Sequence, residues 1–197
     1  MYWSYRQYSR VRELLDFIIS ILVLSFAFSY RYIIQNQFNL IPAVIIAIVT
    51  SFALHELAHR SIARANGIYA RYKAWYLGLL LALIFAIATQ GRFLFAAPGA
   101  VVIYSSWYMP EIEALIALAG PVTNIIIGFV CLVLLIPTHG IVYQYIRIIG
   151  SINAFIALFN SLPLPPLDGY RVFKSSIVRW VIIFLFSIFL WIIYWFS

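Results

Sequence analysis

Charge is what this sequence has least of. Charged residues make up only 10% of the 197, and acidic side chains number just 6. A soluble domain carries about a quarter charged residues, so this chain cannot cover a water-facing surface of its own. A single cysteine, Cys131, excludes an internal disulfide framework, and its apolar surroundings suit a small packed side chain. What remains is apolar: 65% of the residues are hydrophobic and 18% aromatic. The natural solvent for such a chain is a lipid bilayer.

The net charge is +7, but the basic residues form no single patch. They fall in short groups between apolar runs, the pattern of cytoplasmic loops under the positive-inside rule, so nucleic acid is not an expected partner. The aromatic group Tyr2, Trp3, Tyr5 and Tyr8 suits a membrane interface. The run that follows lacks a small-residue cleavage site and is expected to be a retained helix.

Apolar runs cover residues 14–34, 40–65, 75–89, 112–136, 141–162 and 176–196. Most reach the ~20 residues that a helix needs to cross ~30 Å of hydrocarbon. The run 75–89 is shorter, and around Pro98-Gly99 the residues Phe93 to Val101 favour an extended segment with a turn. The expected fold class is therefore an all-α polytopic membrane protein. It has five to six transmembrane helices and a re-entrant or extended β-like segment after the second run. The whole of 1–197 is expected to form one integral membrane domain, with a core at about 40–170 and flanking helices at 14–34 and 176–196.

Arg6, Arg10 and Arg12 precede the first run, and Arg60, Arg64, Arg71 and Lys73 follow the second. Both groups prefer the cytoplasm, which puts the N-terminus there and makes the protein multi-pass. A full crossing by 75–89 would place Arg171, Lys174 and Arg179 outside, against the same rule. Entry and return of residues 75–104 on one side avoids this.

The chemistry lies in His55-Glu56-Leu57-Ala58-His59, an H-E-x-x-H pattern. On a helix the two histidines share a face and reach one zinc ion. Glu56 beside them takes a proton from the water that the metal activates. Ionisable groups within a membrane helix cost about 2.5–3.5 kcal/mol each on insertion scales, so their clustering marks a function.

A catalytic zinc needs a third protein ligand and an open position. Glu13 and Asp16 start the first helix and Glu111 and Glu113 the fourth, where they complement the helix dipole. Asp168, in Asn160-Ser161-Leu162-Pro163-Leu164-Pro165-Pro166-Leu167-Asp168-Gly169, is the strongest candidate. The prolines break the helix there, and irregular backbone at membrane depth belongs where it lines a cavity. Gly169 would allow a turn after the ligand. Glu111 or Glu113 as third ligand is the competing assignment. His139 is expected to be solvated, and Asn124 either bonds a neighbouring helix or steadies the site.

Three motifs together resemble the site-2 protease family of intramembrane zinc metalloproteases. They are His55-Glu56-x-x-His59, Gly120-Pro121-x-x-Asn124, and Asn160-x-x-Pro163-x-x-Pro166-Leu167-Asp168-Gly169. The resemblance implies one Zn2+ per chain on His55, His59 and Asp168, with Glu56 as general base. It implies that Asn160 binds substrate or stabilises the oxyanion, and that the substrate is a transmembrane protein cut in or near the bilayer. It also implies that Phe93, Leu94, Phe95, Ala96 and Ala97 form a strand that pairs with unwound substrate. The topology argued above, with entry and return of 75–104 on one side, puts the active site toward the cytoplasmic side. The competing function is a membrane metal transporter or sensor using the same ligands, which gives no role to Glu56.

Overall fold

The structure is a computed structural model that describes residues 10–94, 98–104 and 109–197. Helix α1 covers Arg10–Ile34. A 3-10 turn (Phe38–Leu40), α2 (Ile41–Ile48), a π turn (Val49–Ala53) and α3 (Leu54–Ala65) follow as one continuous rod. Strand β1 (Tyr69–Ala74), α4 (Tyr76–Ala88) and strand β2 (Gly99–Tyr104) come next. Helices α5 (Pro110–Leu135), α6 (Gly140–Asn160), α7 (Asp168–Ser175) and α8 (Ile177–Phe196) complete the order.

Among the described residues, five helical rods are long and apolar enough to cross a membrane: α1, Phe38–Ala65, α5, α6 and α8. Their outer faces carry large apolar side chains, among them Leu22, Ile126, Val133 and Leu185, all more than half exposed. Apolar surface on that scale needs lipid around it. The protein is thus a multi-pass integral membrane protein.

The rod that carries the histidines is held by two buried asparagines. Its π turn shifts the backbone bonding one residue out of α-helical register, as happens often at functional sites. The carbonyl of Ser51, inside this turn, accepts Asn124 Nδ2 from α5 at 2.9 Å. One residue earlier, Thr50 Oγ1 accepts Asn153 Nδ2 from α6 at 3.1 Å. Both asparagines are fully buried. Such bonds inside an apolar bundle fix the rotation of the rod, because slipping it would leave polar groups unpaired.

Strands β1 and β2 pair antiparallel, with Tyr69 opposite Tyr104 and Ala74 opposite Gly99. The chain between them therefore leaves and returns at one point. Helix α4 runs beside α1: the Tyr76 hydroxyl donates to Asp16, and Gly91 lies against the Arg31 backbone. Asp16 to Arg31 is about 22 Å along a helix at 1.5 Å per residue, so the excursion follows α1 for most of its length. The expected strand at Phe93–Ala97 is corrected in part. Phe93 and Leu94 form no strand; the Phe93 N–H instead donates to Thr89 Oγ1 at 3.0 Å, closing the end of α4. Phe95, Ala96 and Ala97 lie outside the described residues, as do the N-terminal aromatics. The strand begins at Gly99, after the Pro98 carbonyl has accepted the Trp75 N–H at 2.8 Å.

The two edges of this sheet differ. The Tyr72 and Ala74 N–H groups donate away from β2, to Glu13 Oε1 at 3.2 Å and Asp16 Oδ2 at 3.0 Å. Tyr72–Val101 and Ala74–Gly99 are therefore the non-hydrogen-bonded pairs of the ladder. The backbone groups of Gly99 and Val101 accordingly face the opposite edge, away from α1.

Candidate metal centre

His55 and His59 sit one turn apart on α3, and their rings meet edge to face at 4.6 Å between centroids. Both are buried. Asp168 reaches them from the start of α7: its Oδ2 lies 3.2 Å from His55 Nε2 and 3.0 Å from His59 Nε2. The three ligand atoms lie within 4.8 Å of one another. Two imidazoles and a carboxylate are a donor set that zinc accepts, with room for a fourth ligand. Glu111 is drawn elsewhere, to Arg179 at 2.8 Å and Ser175 at 2.9 Å, and neither it nor Glu113 joins the cluster among the described residues.

The surroundings aim the ligand atoms. His59 Nδ1 donates to the Ile116 carbonyl of α5 at 2.6 Å, which leaves Nε2 unprotonated and directed at the centre. Asn124 plays the matching part for His55. Its side chain lies beside the His55 ring. Close approach of α5 needs Gly120: a Cβ there would stand 2.5 Å from both imidazoles.

Asp168 depends on the proline-rich turn before it. Leu167 is extended, and the carboxylate is the first residue of α7. Trp180 Nε1 donates to the Ser161 carbonyl at 2.9 Å, tying this turn to α8. Gly169 serves space and not a turn, because a Cβ on it would collide with the Ser161 carbonyl.

Glu56 is buried beside the centre, with one carboxylate oxygen unpartnered and the Val101 N–H of β2 bonded to the carboxylate. A cavity of about 380 Å³ joins Glu56, the three candidate ligands, Asn160, Arg171 and the β2 residues Gly99 to Val102. Asn160 closes α6 and turns its amide back to the Ile156 carbonyl at 3.1 Å. His139 is exposed at the start of α6, outside the cluster. Sequence reasoning left Asn124 unassigned and did not find the Ile116 carbonyl; a backbone acceptor leaves no mark in the residue pattern.

The profile of Peptidase family M50 matches residues 43–143, about half of the chain. The chain belongs to this family. Over 176 residues it is 42% identical to "Putative zinc metalloprotease MJ0611" of Methanocaldococcus jannaschii, covering 87% of this chain and 88% of that protein. It is 30% identical over 162 residues to "Putative zinc metalloprotease YwhC" of Bacillus subtilis, covering 71% of each. It is 28% identical over 151 residues to "Putative zinc metalloprotease Rip2" of Mycobacterium tuberculosis, covering 68% of this chain and 57% of that one. No solved structure matches the chain. The M50 match contains His55, Glu56 and His59 but stops before Asp168, which the fold brings back to them. Membership and the buried His-His-Asp cluster together make this M50 protein a site-2-protease-like zinc metalloendopeptidase, acting within the membrane.

Proposed function

We propose that this protein cuts transmembrane segments of other membrane proteins near the cytoplasmic face, with one zinc ion on His55, His59 and Asp168 and Glu56 as the general base. The convergence of three ligand atoms inside a cavity that Glu56 and residues of both strands also line carries this reading. Zinc, when bound, polarises water and the peptide carbonyl. The remaining tasks fall to the chain itself. Glu56 accepts the proton of the attacking water and passes it to the leaving amine. Its burial keeps competing solvent away from that exchange. Asn160, at the cavity wall, is placed to turn its amide from the Ile156 carbonyl toward substrate or the developing oxyanion.

A substrate helix hides its amides and must be opened before hydrolysis. The edge of β2 at Gly99 and Val101 holds it extended, as an added strand, once the Val101 N–H leaves the Glu56 carboxylate for the substrate backbone. This assigns the pairing role to β2, next to Glu56, in place of Phe93 and Leu94.

The orientation has a charge argument. Arg10, Arg12, Arg60, Arg64, Arg71, Lys73, Arg171, Lys174 and Arg179 lie at the end of the bundle that carries the site, against Arg31, Arg92 and Arg147 at the other. The richer end is cytoplasmic by the positive-inside rule. The strand pairing supports a re-entrant 75–98 segment, since it returns the chain to its starting face.

Replacement of Glu56 by Gln tests the proposal against a metal transporter or sensor. A protease retains zinc and loses cleavage of a transmembrane substrate. Unimpaired cleavage by Glu56→Gln would overturn the proposal.

A further inference from the structure

Glu13 and Asp16 are acidic, one turn apart, and almost fully buried near the start of α1. Complementing the helix dipole does not require burial. Both side chains reach across to β1, where they accept the outward N–H groups of Tyr72 and Ala74. Asp16 also accepts the Tyr76 hydroxyl, at the start of α4. Glu13 meets Arg71 of β1 at 3.9 Å and Arg60 of α3 at 3.3 Å. Arg60 directly follows the candidate ligand His59. The Tyr72 hydroxyl extends the contact, touching Ser20 Oγ of α1 at 2.8 Å and donating to the Pro98 carbonyl at 3.1 Å.

A two-stranded sheet has two edges, and either can template a third strand. Here the β1 edge is filled by carboxylates, which accept N–H groups more strongly than neutral acceptors do. On the other edge Val101 of β2 lies against Glu56, beside the cavity that β2 and the end of β1 (Lys73 and Ala74) line together. We infer that Glu13 and Asp16 are positioning residues for substrate: they close the β1 edge, so that an unwound segment adds to β2, and they lock the sheet to α1 and to the zinc-binding helix. They touch neither substrate nor reacting atoms. The inference rests on the proposed strand pairing at β2 and assigns α1 a part in it.

The consequence is a change in substrate affinity without a change in the metal centre. The probe is a single transmembrane-helix peptide reconstituted with the full-length protein in phospholipid vesicles, read for KM, kcat and zinc content. Wild type cleaves it and Glu56→Gln does not; failure of that comparison overturns the protease reading itself. With that comparison met, Asp16→Ala keeps its zinc and raises KM on the order of tenfold, with kcat changed much less, as loss of a charge-assisted buried bond implies. Asp16→Asn retains an acceptor for the Ala74 N–H and recovers most of that loss. Should Asp16→Ala not retain zinc, Glu13→Ala, which leaves Asp16 in place, carries the same test. Zinc-loaded variants with wild-type KM, or a fall in kcat alone, would overturn the inference and leave the protease reading intact.

Discussion

His55 and His59 make the metal centre possible because one helical turn puts both imidazoles on one face. That much is local and was readable from five residues. Asp168 was readable less directly, through the prolines that break the chain before it. The roles of Asn124 and of the Ile116 carbonyl were not readable, since both act across the α3–α5 contact. Each yields an outcome at this scale. Asn124→Ala removes the polar neighbour of the His55 ring and frees the Ser51 carbonyl, so zinc affinity measured by competition with a chelator falls roughly 10- to 100-fold. Gly120→Ala pushes a methyl into both imidazoles, and metal analysis of the purified variant shows the zinc lost or strongly depleted. Retention of full zinc affinity by either variant would contradict the geometry described.

At the scale of elements, sequence pattern found the long helices and missed the pairing. The alternation in β1 is short, and its partner lies beyond α4, so no local signal connects Tyr69–Ala74 with Gly99–Tyr104. The β-branched residues near Pro98 announce an extended segment, and among the described residues it forms a strand at Gly99–Tyr104. Helix α7 was hidden for a similar reason: it is 8 residues long and lies between a proline-rich turn and a long apolar helix. The local sequence makes Glu13 and Asp16 dipole partners of α1, whereas their contacts on β1 lie 59 and 58 residues away. The turn that delivers Asp168 gives a prediction here. Gly169→Ala drives a Cβ into the Ser161 carbonyl, so α7 must shift and carry Asp168 away from the imidazoles. Zinc content and cleavage fall together in that variant, whereas cleavage alone falls in Glu56→Gln.

Across the whole molecule, the five rods build a scaffold around a centre set inside one end of the bundle. His59 and His55 lie about 9 and 15 Å from the end of α3 at 1.5 Å per residue, deep enough to meet a transmembrane segment and shallow enough for water. Hydropathy and the basic clusters outlined this arrangement. They did not show how far the 75–98 excursion travels, which depends on packing against α1. Single cysteines at Lys73, Arg92 and Thr138 test the topology. Lys73→Cys reacts with a membrane-impermeant thiol reagent from the cytoplasmic side, and Thr138→Cys from the opposite side. Arg92→Cys reacts, if at all, from the side of Thr138, because Gly91 packs beside Arg31 at the far end of α1. Labelling of Lys73→Cys and Thr138→Cys from the same side would break this topology.

The most direct test of the central claim pairs two measurements on one sample: zinc content and cleavage of a transmembrane substrate, for wild type and Glu56→Gln in the same vesicles. The account predicts about one zinc per chain in both proteins, as a single site of two histidines and one carboxylate requires. It predicts cleavage by the wild type alone, with the variant's rate lower by roughly 10²-fold or more, the share of a positioned general base. Equal cleavage by the two proteins, or cleavage that persists after the zinc is removed, would contradict it.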